Sequence, residues 1–296
     1  MAGSSAGPVV GPITDGGRAL ILGCGYVGTA IAQHWRTAGI TVTATTTREE
    51  RVKDLEVIAD RVIVLDATEP EKLREALEGQ DTVLMCIGAK GPSDYRHAYL
   101  ECAEALISAV PEFPSIQQVI YTGTYSLYGD HGGAWVTEDT PPKLTTPKSQ
   151  ILAETEQTIL SLNTLGQNDT PQGAIACVLR LGGICGPGRE VTRILSRAAG
   201  KTRPGDGSSW AHWTHLDDIV GAIAWARQKR LSGIFNVVQD IPIQQKDLFE
   251  QALGKANLPP VIWDPQLPAA KSYNVRVSNQ RLREAGYTMQ YPTVPI

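Results

Sequence analysis

The segment 18–46 constrains the fold of this chain more than any other part of the sequence. A short apolar run ends at Gly23, and apolar residues then recur at helical spacing after Gly25 and Gly28. A second apolar run over 40–46 follows, which gives the order strand, glycine turn, helix, strand. Gly23 permits the tight turn, Gly25 lets a phosphate approach the backbone, and Gly28 lets the helix pack close to the strand. The segment predicts a dinucleotide cradle, and the alternative is a glycine turn that binds nothing.

The same alternation continues along the chain. Strands are predicted over 61–65, 82–87, 117–122 and 174–181, with helices over 70–78, 95–110 and 149–162 between them. This pattern predicts an α/β fold, a doubly wound parallel sheet or Rossmann fold, with a smaller C-terminal substrate-binding region. We expect a flexible leader over 1–17, a dinucleotide-binding domain over 18–186, and a substrate-binding part over 187–296 interleaved with the last strands.

The carboxyl ends of the strands predict the cofactor contacts, because open α/β sheets bind ligands at that edge. The expected contacts are Gly23, Gly25, Tyr26, Val27 and Gly28 for the diphosphate, Asp66 and Ala67 for the adenine, and Cys86, Ile87 and Gly88 for the ribose or nicotinamide. The alternative for each of them is a strand cap or a packed loop residue.

The end of the second predicted strand indicates which dinucleotide is bound. NAD-binding folds place an acid about 20 residues after the glycines, on the ribose 2′-hydroxyl. This chain instead has a run of threonines ending at Thr47, followed by Arg48, and no carboxylate before Glu49. A guanidinium suits a 2′-phosphate, so we predict NADP over NAD. The alternative is that Arg48 begins a solvated helix with Glu49.

Composition narrows the class of protein. The chain has 296 residues, a formal net charge of -4 and five cysteines at scattered positions. The slight acidity gives no footprint for nucleic acid, and no apolar run is long enough to span a membrane. The odd number of cysteines argues against a disulfide framework, and the first residues do not resemble a signal peptide. We therefore expect a cytoplasmic protein that acts on a small-molecule substrate, without a bound metal.

Four segments resemble the extended short-chain dehydrogenase/reductase superfamily, which includes sugar-nucleotide epimerases and dehydratases. They are Val119 to Gly129, which is similar to the family segment ending in Val-Tyr-Gly; Val178 to Arg189, similar to Leu-Arg-x-x-x-x-Tyr-Gly-Pro-Gly with Cys185 at the tyrosine; Trp213 to Asp218, similar to His-Val-Asp-Asp; and Gly233 to Val237, similar to Tyr-Asn-Val. The resemblance places the catalytic hydroxyl of the family on Thr124. We also expect Thr122 and Gly183 to contact the cofactor.

The chain departs from that superfamily at its catalytic pair. No Tyr-x-x-x-Lys occurs anywhere in the sequence. Aligning on the pair Ala153-Glu154 puts Thr146 at the family's tyrosine and Gln150 at its lysine. An aliphatic hydroxyl is too weak an acid to replace the tyrosine, whereas Gln150 could still hydrogen-bond a ribose hydroxyl. The chain resembles an atypical subgroup that lacks the Tyr-Lys pair.

Another group must then supply the proton if the protein is an enzyme. The candidates beside Thr124 are Tyr125 and Tyr128, and the sequence does not distinguish between them. His131 and His215 are further candidates, because imidazole is a common proton donor in enzymes, and for His215 a packing role is favoured over proton transfer.

The last third of the chain is expected to hold the substrate. Arg189, Arg193 and Arg197 recur at every fourth residue on a predicted helix, where they would face either an anionic substrate or, more often, water. Trp210 and Trp213 could form an aromatic wall for the substrate or anchor their loop to the core. A helix N-cap is predicted at Asn279. An apolar face over 151–162 would allow a homodimer, unless the chain itself covers it.

Three functions fit these observations. The first is an NADP-dependent oxidoreductase on a small carbonyl compound, with a non-standard proton relay. The second is an isomerase or lyase of the epimerase/dehydratase kind, with tightly held cofactor, although that chemistry relies on the missing Tyr-Lys pair. The third is a non-catalytic protein that binds the dinucleotide as a sensor or scaffold.

Overall fold

The computed structural model describes residues 16–165, 173–267 and 273–296, and most of the expected leader lies outside them. The described chain forms two compact units. The first contains the residues up to Tyr121, Gln157–Cys177 and Ile223–Gly233, and the second contains Thr122–Glu156, Val178–Ala222 and Ile234–Ile296. Neither unit is continuous in sequence, and the expected domain boundary at residue 186 stays a prediction.

A parallel sheet of seven strands confirms the predicted α/β fold. Its strands are β1 (Arg18–Leu22), β2 (Thr41–Thr46), β3 (Arg61–Val64), β4 (Thr82–Met85), β5 (Gln118–Thr124), β7 (Ile175–Leu181) and β12 (Gly233–Val237). Their order is β12-β7-β5-β4-β1-β2-β3. The order reverses direction between β1 and β4, where Ile21 pairs with Ala44 on one side and Leu84 on the other. Such a reversal is the point at which doubly wound sheets bind their ligands.

Helices connect the strands at close to the predicted positions. They are α1 (Tyr26–Thr37), α2 (Val52–Glu56), α3 (Pro70–Leu77), α4 (Cys102–Ala109), α5 (Pro147–Leu160), α6 (Leu162–Leu165), α7 (Val191–Leu195), α8 (Leu216–Lys229), α9 (Gln245–Lys255) and α10 (Gln280–Glu284). The predicted continuous helix over 95–110 is wrong in one respect, because its first part, Arg96–Glu101, is a π-helix. Among the described helices, none is both long and apolar enough to cross a membrane.

The apolar runs read from the sequence form the core of the first unit. β4 is buried at every position, and β1 is buried from Ala19 onward. Strands covered on both faces by helices need such continuous apolar sequence, since no face is left to water. α1 packs its Ile31 and Trp35 into this core, with Trp35 only 1% exposed. The rigid strand ends therefore hold the glycine turn after β1 in a fixed position.

Short strand pairs build the second unit. They are β6 (Trp135–Val136) with β15 (Arg276–Val277), β8 (Gly183–Cys185) with β11 (Trp213–His215), β9 (Thr202–Pro204) with β14 (Ile262–Asp264), and β10 (Trp210–Ala211) with β13 (Ile243–Gln244). Only the last pair is antiparallel. The pairs fix loops that carry aromatic and charged side chains.

Two sequence expectations about this region need correction or refinement. The predicted arginine helix is wrong, because α7 ends at Leu195 and Arg189 lies before it, although Arg189, Arg193 and Arg197 are all exposed. Asn279 occupies the N-cap position of α10, yet its side chain does not cap the helix. Its amide donates instead to the Val238 carbonyl at 2.9 Å and to the Asp240 carboxylate at 2.6 Å.

The apolar face of α5 is covered by the chain itself. Leu152 and Ile159 are buried, as is Leu162 at the start of α6. A homodimer through this face therefore stays a prediction, and the structure favours the alternative in which the face packs internally.

Candidate functional site

The turn between β1 and α1 requires glycine for steric reasons. Gly23 has a φ of +93°, and a Cβ there would lie 2.8 Å from the Cα of Ile87. Its N–H donates to the Thr45 hydroxyl at 3.1 Å. A Cβ on Gly28 would lie 2.5 Å from the Gly23 carbonyl oxygen. The turn and the helix can approach each other this closely only because both residues lack side chains.

Gly25 plays a different part in the same turn. It is exposed, it precedes the first residue of α1, and a Cβ there would meet nothing within 4 Å. Tyr26 and Val27 follow at the amino end of α1, and the described first turn contains no acidic residue. The positive end of the helix dipole thus faces open space beside Gly25, where a diphosphate fits.

The residues directly after β4 pack against the glycine turn. The Cys86 thiol donates to the Gly23 carbonyl oxygen at 3.1 Å. Burial raises the pKa of the Cys86 thiol well above its ordinary value and that of Cys24 to about 12. Both thiols are therefore protonated packing groups. Gly88, which comes after Ile87, is exposed and has open space around its Cα.

The residues after β2 form an exposed edge that contains two guanidinium groups. Thr47 and Arg48 are exposed, and the Arg48 side chain lies 3.8 Å from the Glu50 carboxylate. Sequence reasoning missed Arg51, whose buried Nε atom has no hydrogen-bond partner in the described chain. Its guanidinium lies 3.6 Å from the Asp54 carboxylate. The two guanidinium groups at this edge favour the binding of a 2′-phosphate. The neighbouring carboxylates of Glu50 and Asp54 oppose it by charge repulsion.

Asp66 belongs to a carboxylate–histidine–carboxylate cluster that the sequence did not reveal. One Asp66 oxygen accepts from the N–H and the hydroxyl of Thr68, and the other lies 2.8 Å from His97 Nε2. His97 Nδ1 lies 3.0 Å from Glu101. Partial burial acts to raise the pKa of Asp66, but the bonds from His97 and Thr68 lower it. The bonds to Asp66 and Glu101 raise the pKa of His97. Ala67, the other expected adenine contact, is buried.

The second unit carries the candidate catalytic residues directly after β5. The Thr124 hydroxyl accepts from the Ser126 N–H at 3.2 Å and donates to the Ser126 hydroxyl at 3.1 Å. It thereby caps the short 3₁₀ turn Tyr125–Tyr128, in which Tyr128 is buried and Tyr125 is partly exposed. Thr122 lies two residues earlier in β5 and is partly buried.

The two tyrosines have unlike environments. Tyr128 is fully buried, its hydroxyl donates to Asn236 Oδ1 at 2.8 Å, and the Arg180 guanidinium lies 4.8 Å from its ring centroid. Tyr125 is partly exposed, and its hydroxyl makes no hydrogen bond to any described residue. Burial raises the pKa of the Tyr125 phenol to about 12. The Tyr128 hydroxyl is thus engaged by Asn236, whereas the Tyr125 hydroxyl has no hydrogen-bond partner among the described residues.

A histidine that the sequence reading passed over supports Tyr125. The rings of Tyr125 and His212 meet edge to face, with centroids 5.3 Å apart. His212 is 2% exposed, its Nε2 lies 2.9 Å from the Val275 carbonyl oxygen, and burial lowers its pKa to about 4. His212 is neutral at physiological pH and acts as a packing partner. His215, which the sequence did single out, stacks on Tyr291 with centroids 3.8 Å apart.

Three further positions singled out in the sequence are Thr146, Gln150 and Gly183. Thr146 and Gln150 are exposed, and Thr146 exchanges hydrogen bonds with Ser149. The Gln150 side chain makes no hydrogen bond within the described ranges, so its ribose contact stays a prediction. Gly183 donates its N–H to the His212 carbonyl at 2.8 Å, and a Cβ there would lie 3.3 Å from the Trp213 ring.

Comparison with known proteins identifies the family. The profile of the NAD dependent epimerase/dehydratase family matches residues 19–237. A structure of a conserved protein of unknown function from Silicibacter pomeroyi is 23% identical, with a TM-score of 0.72 over 94% of this chain and 95% of that one. The UDP-glucose 4-epimerase of Thermus thermophilus in complex with NAD is 19% identical, with a TM-score of 0.74 over 92% of this chain and 94% of that one.

A third structure has the same fold. The dTDP-glucose 4,6-dehydratase of Bacillus anthracis in complex with NAD is 17% identical, with a TM-score of 0.75 over 93% of this chain and 92% of that one. Comparison with curated protein sequences gave no significant match. The family profile covers well over half of the chain, including the glycine turn, β5 and β12. The chain therefore belongs to the NAD-dependent epimerase/dehydratase family.

Proposed function

We propose that this protein is an NADP(H)-dependent oxidoreductase that reduces a small carbonyl compound, with Tyr125 as the proton donor. The cofactor supplies hydride when it is bound. The residues of this chain bind its diphosphate at the glycine turn, hold its 2′-phosphate at Arg48 and Arg51, and protonate the carbonyl oxygen as hydride arrives. The Tyr125 proton is then replaced from water.

The observation that carries this proposal is the hydroxyl of Tyr125. It directly follows Thr124, the position that the family resemblance makes catalytic, and it has no acceptor among the described residues. The sequence makes Tyr128 an equally good candidate for the proton donor, but its hydroxyl is buried and donates a hydrogen bond to Asn236. A general acid must reach the substrate oxygen, which a buried and already bonded hydroxyl cannot do.

The protonation state of Tyr125 favours reduction over epimerisation or dehydration. With a pKa of about 12, its phenol is un-ionised at neutral pH. An un-ionised phenol donates a hydrogen bond or a proton to a developing oxyanion, and it cannot act as a base while it holds its proton. Its raised pKa makes it a weaker acid than an ordinary tyrosine. Epimerase and dehydratase chemistry begins with oxidation of a hydroxyl, which requires a base. The absence of the Tyr-Lys pair from the sequence also argues against epimerisation and dehydration, because that chemistry relies on the pair.

The preference for NADP rests on the edge after β2. Arg48 and Arg51 offer charge-assisted hydrogen bonds to a phosphate, and no carboxylate stands before Glu49 where NAD-binding folds have one. The related epimerase and dehydratase structures described above contain NAD, so the choice of dinucleotide is a proposal for this chain alone. Isothermal titration should give a lower dissociation constant for NADPH than for NADH, and an equal or lower value for NADH would reject the preference.

The proposed function is tested by replacing the two tyrosines one at a time. NADPH consumption is measured on a panel of small carbonyl compounds. We expect Tyr125→Phe to lower kcat by roughly 100-fold or more with the NADPH dissociation constant unchanged, because only proton donation is lost. Tyr128→Phe should keep turnover but lower the free energy of unfolding by about 1–3 kcal/mol, because Asn236 is left without its donor.

Two results would count against the proposal. Equal turnover in wild type and Tyr125→Phe would remove Tyr125 from the mechanism. Tight NADPH binding by the wild type without turnover of any compound would favour a non-catalytic sensor.

A further inference from the structure

Arg276 is held rigidly at the surface of the second unit. It lies in β15 opposite Trp135 of β6. Its guanidinium carbon is 5.2 Å from the centroid of the Trp135 ring and 5.4 Å from that of Trp210. Its Nε–H donates to the Gly133 carbonyl at 2.7 Å. Two aromatic contacts and one hydrogen bond fix the planar group in a single orientation.

The outer end of this guanidinium has no protein partner. Among the described residues, none accepts a hydrogen bond from Nη1 or Nη2 of Arg276, and no carboxylate lies within 4 Å. Neither nitrogen is fully buried. An arginine that is immobilised but unpaired has already lost its side-chain entropy, so a ligand that binds it does not bear that cost.

Two further N–H donors lie close to Gly133, the residue whose carbonyl accepts from Arg276. A Cβ built on Gly133 would lie 3.4 Å from Trp210 Nε1 and 3.5 Å from Asn274 Nδ2. It would also lie 3.4 Å from Asn274 Oδ1, which accepts from the Trp210 backbone N–H at 3.4 Å. Neither side-chain nitrogen donates to an acceptor in the part of the chain that the structure describes. The Asn274 backbone carbonyl is occupied, because it accepts from the N–H groups of His131 and Gly133. The patch around Gly133 therefore holds two N–H donors without an acceptor among the described residues, and its side-chain oxygen, Asn274 Oδ1, is already engaged by the Trp210 backbone N–H.

We propose that Arg276, Trp210 and Asn274 form a binding site for an oxyanion, the carboxylate or phosphate group of the substrate. This inference rests on the proposed function, since it supplies the substrate class: a carbonyl compound that carries an anionic group. Guanidinium nitrogens bind such a group in their own plane, often with two parallel hydrogen bonds. The indole and amide N–H groups would add neutral donors at its rim.

The packing links this site to Tyr125. The Val275 carbonyl, between Asn274 and Arg276 in sequence, contacts His212 Nε2 at 2.9 Å. His212 packs edge-on against the Tyr125 ring. The strand that carries the anion site and the loop that carries the proton donor thus share one buried histidine. An anion held at Arg276 would orient the rest of a small substrate relative to a fixed hydroxyl.

The test is isothermal titration of the cofactor-free protein with three probes: pyruvate, its neutral amide pyruvamide, and inorganic phosphate. We expect at least one anion to bind and pyruvamide not to bind. Arg276→Gln should raise the dissociation constant of the anion tenfold or more, because charge-assisted hydrogen bonds are lost. Arg276→Lys, which keeps the charge without the planar fork, should fall between the two. Tighter binding of pyruvate assigns a carboxylate site, and tighter binding of phosphate assigns a phosphate site.

Matched variants separate the site from general effects of charge and folding. Arg197→Gln removes an exposed arginine elsewhere in the same unit and should change nothing. Trp210→Phe keeps a ring over Arg276 but removes the indole N–H, so it should raise the dissociation constant of the anion severalfold. Trp135→Phe should leave that dissociation constant unchanged. These aromatic variants keep the guanidinium and its bond to Gly133, so they report on the site even if Arg276→Gln fails to fold.

Four results would overturn the inference. They are no binding of either anion, equal binding of pyruvate and pyruvamide, unchanged binding in Arg276→Gln, and equal weakening in Arg276→Gln and Arg197→Gln. The NADPH dissociation constant of Arg276→Gln should equal that of wild type. If the wild type binds pyruvate through Arg276 but does not bind NADPH, the proposed function fails and the anion site stands.

Discussion

At the scale of single residues, the glycines of the turn after β1 lack side chains for different physical reasons. Gly23 and Gly28 exclude side chains because protein atoms lie 2.8 Å and 2.5 Å from where their Cβ atoms would be. Gly25 faces empty space, so its lack of a side chain serves nothing within the protein. The pattern in the sequence predicted the tight turn at Gly23 and the close packing at Gly28, and the phosphate contact at Gly25 stays a prediction. It could not predict the Thr45 hydroxyl that binds the Gly23 N–H, because that partner lies on the next strand.

This difference leads to opposite expectations for two alanine variants. Gly25→Ala should fold with unchanged thermal stability but bind NADPH roughly 10- to 100-fold more weakly, since a methyl group would block hydrogen bonds to the diphosphate. Gly28→Ala should lower the stability of the free protein by about 1–3 kcal/mol, because the close approach to Gly23 must open. Calorimetric melting and titration of both proteins check this. A destabilised Gly25→Ala, or a Gly28→Ala as stable as wild type, would contradict it.

The sequence could not choose between Tyr125 and Tyr128, and the reason is physical. Both residues follow Thr124 in one short turn, and the local sequence pattern gives no reason to prefer either of them as the proton donor. The difference comes from Asn236, which is 108 residues away in sequence and takes the Tyr128 hydroxyl. Asn279 shows the same limit, because its side chain finds Val238 and Asp240 in place of its own helix. Long-range partners of polar groups are not visible in a single sequence.

At the scale of elements, the helix before β5 carries the clearest departure from expectation. Periodicity predicted one helix over 95–110, yet Arg96–Glu101 is π-helical. A π turn inserts one residue into the hydrogen-bond ladder and leaves the apolar pattern nearly unchanged, so sequence periodicity cannot detect it. The π turn carries both His97 and Glu101, and His97 meets Asp66 after β3. The expected adenine contact is therefore part of an ionic cluster.

This cluster predicts a pH-dependent contribution to stability. The folded pKa of His97 is raised above its ordinary 6.5. The stabilisation is thus fully present below pH 6.5 on the histidine side and is lost as the pH rises through the folded value. On the acid side it is lost as the pH falls through the lowered pKa of Asp66. The effect should be small, since the His97 side chain is 44% exposed.

Nuclear magnetic resonance titration of the His97 ring measures it. We expect a midpoint above 6.5 in the wild type and a lower one in Asp66→Asn. The difference in melting temperature between wild type and His97→Gln should shrink as the pH is raised from about 6 to about 9. A midpoint that Asp66→Asn does not lower would show that the contact with Asp66 is absent in solution.

At the scale of the whole molecule, the order of elements was predictable and the assignment of segments to units was not. Each strand–helix repeat is local, so hydrophobic periodicity revealed the parallel sheet. The chain, however, passes between its two units after Tyr121, Glu156, Cys177, Ala222 and Gly233. A sequence read from end to end favours contiguous domains, whereas neither unit is continuous in sequence, and the expected boundary at residue 186 stays a prediction. The segment 223–233, far downstream of that boundary, belongs to the first unit.

That topology predicts that the fragment 18–186 does not fold alone. The buried side-chain amide of Gln118 donates to the carbonyl oxygens of Ala226 and Leu231 at 3.0 Å and 2.9 Å. Arg227 lies 3.2 Å from the Asp81 carboxylate, with only 9% of its side chain exposed. The fragment lacks all three partners, and each buried polar group left unpaired costs about 1–3 kcal/mol, a large part of a typical domain's stability. Urea unfolding of the fragment, monitored by circular dichroism, should show no cooperative transition, whereas the full chain should show one. A cooperative transition in the fragment would mean that the first unit does not depend on the segment 223–233.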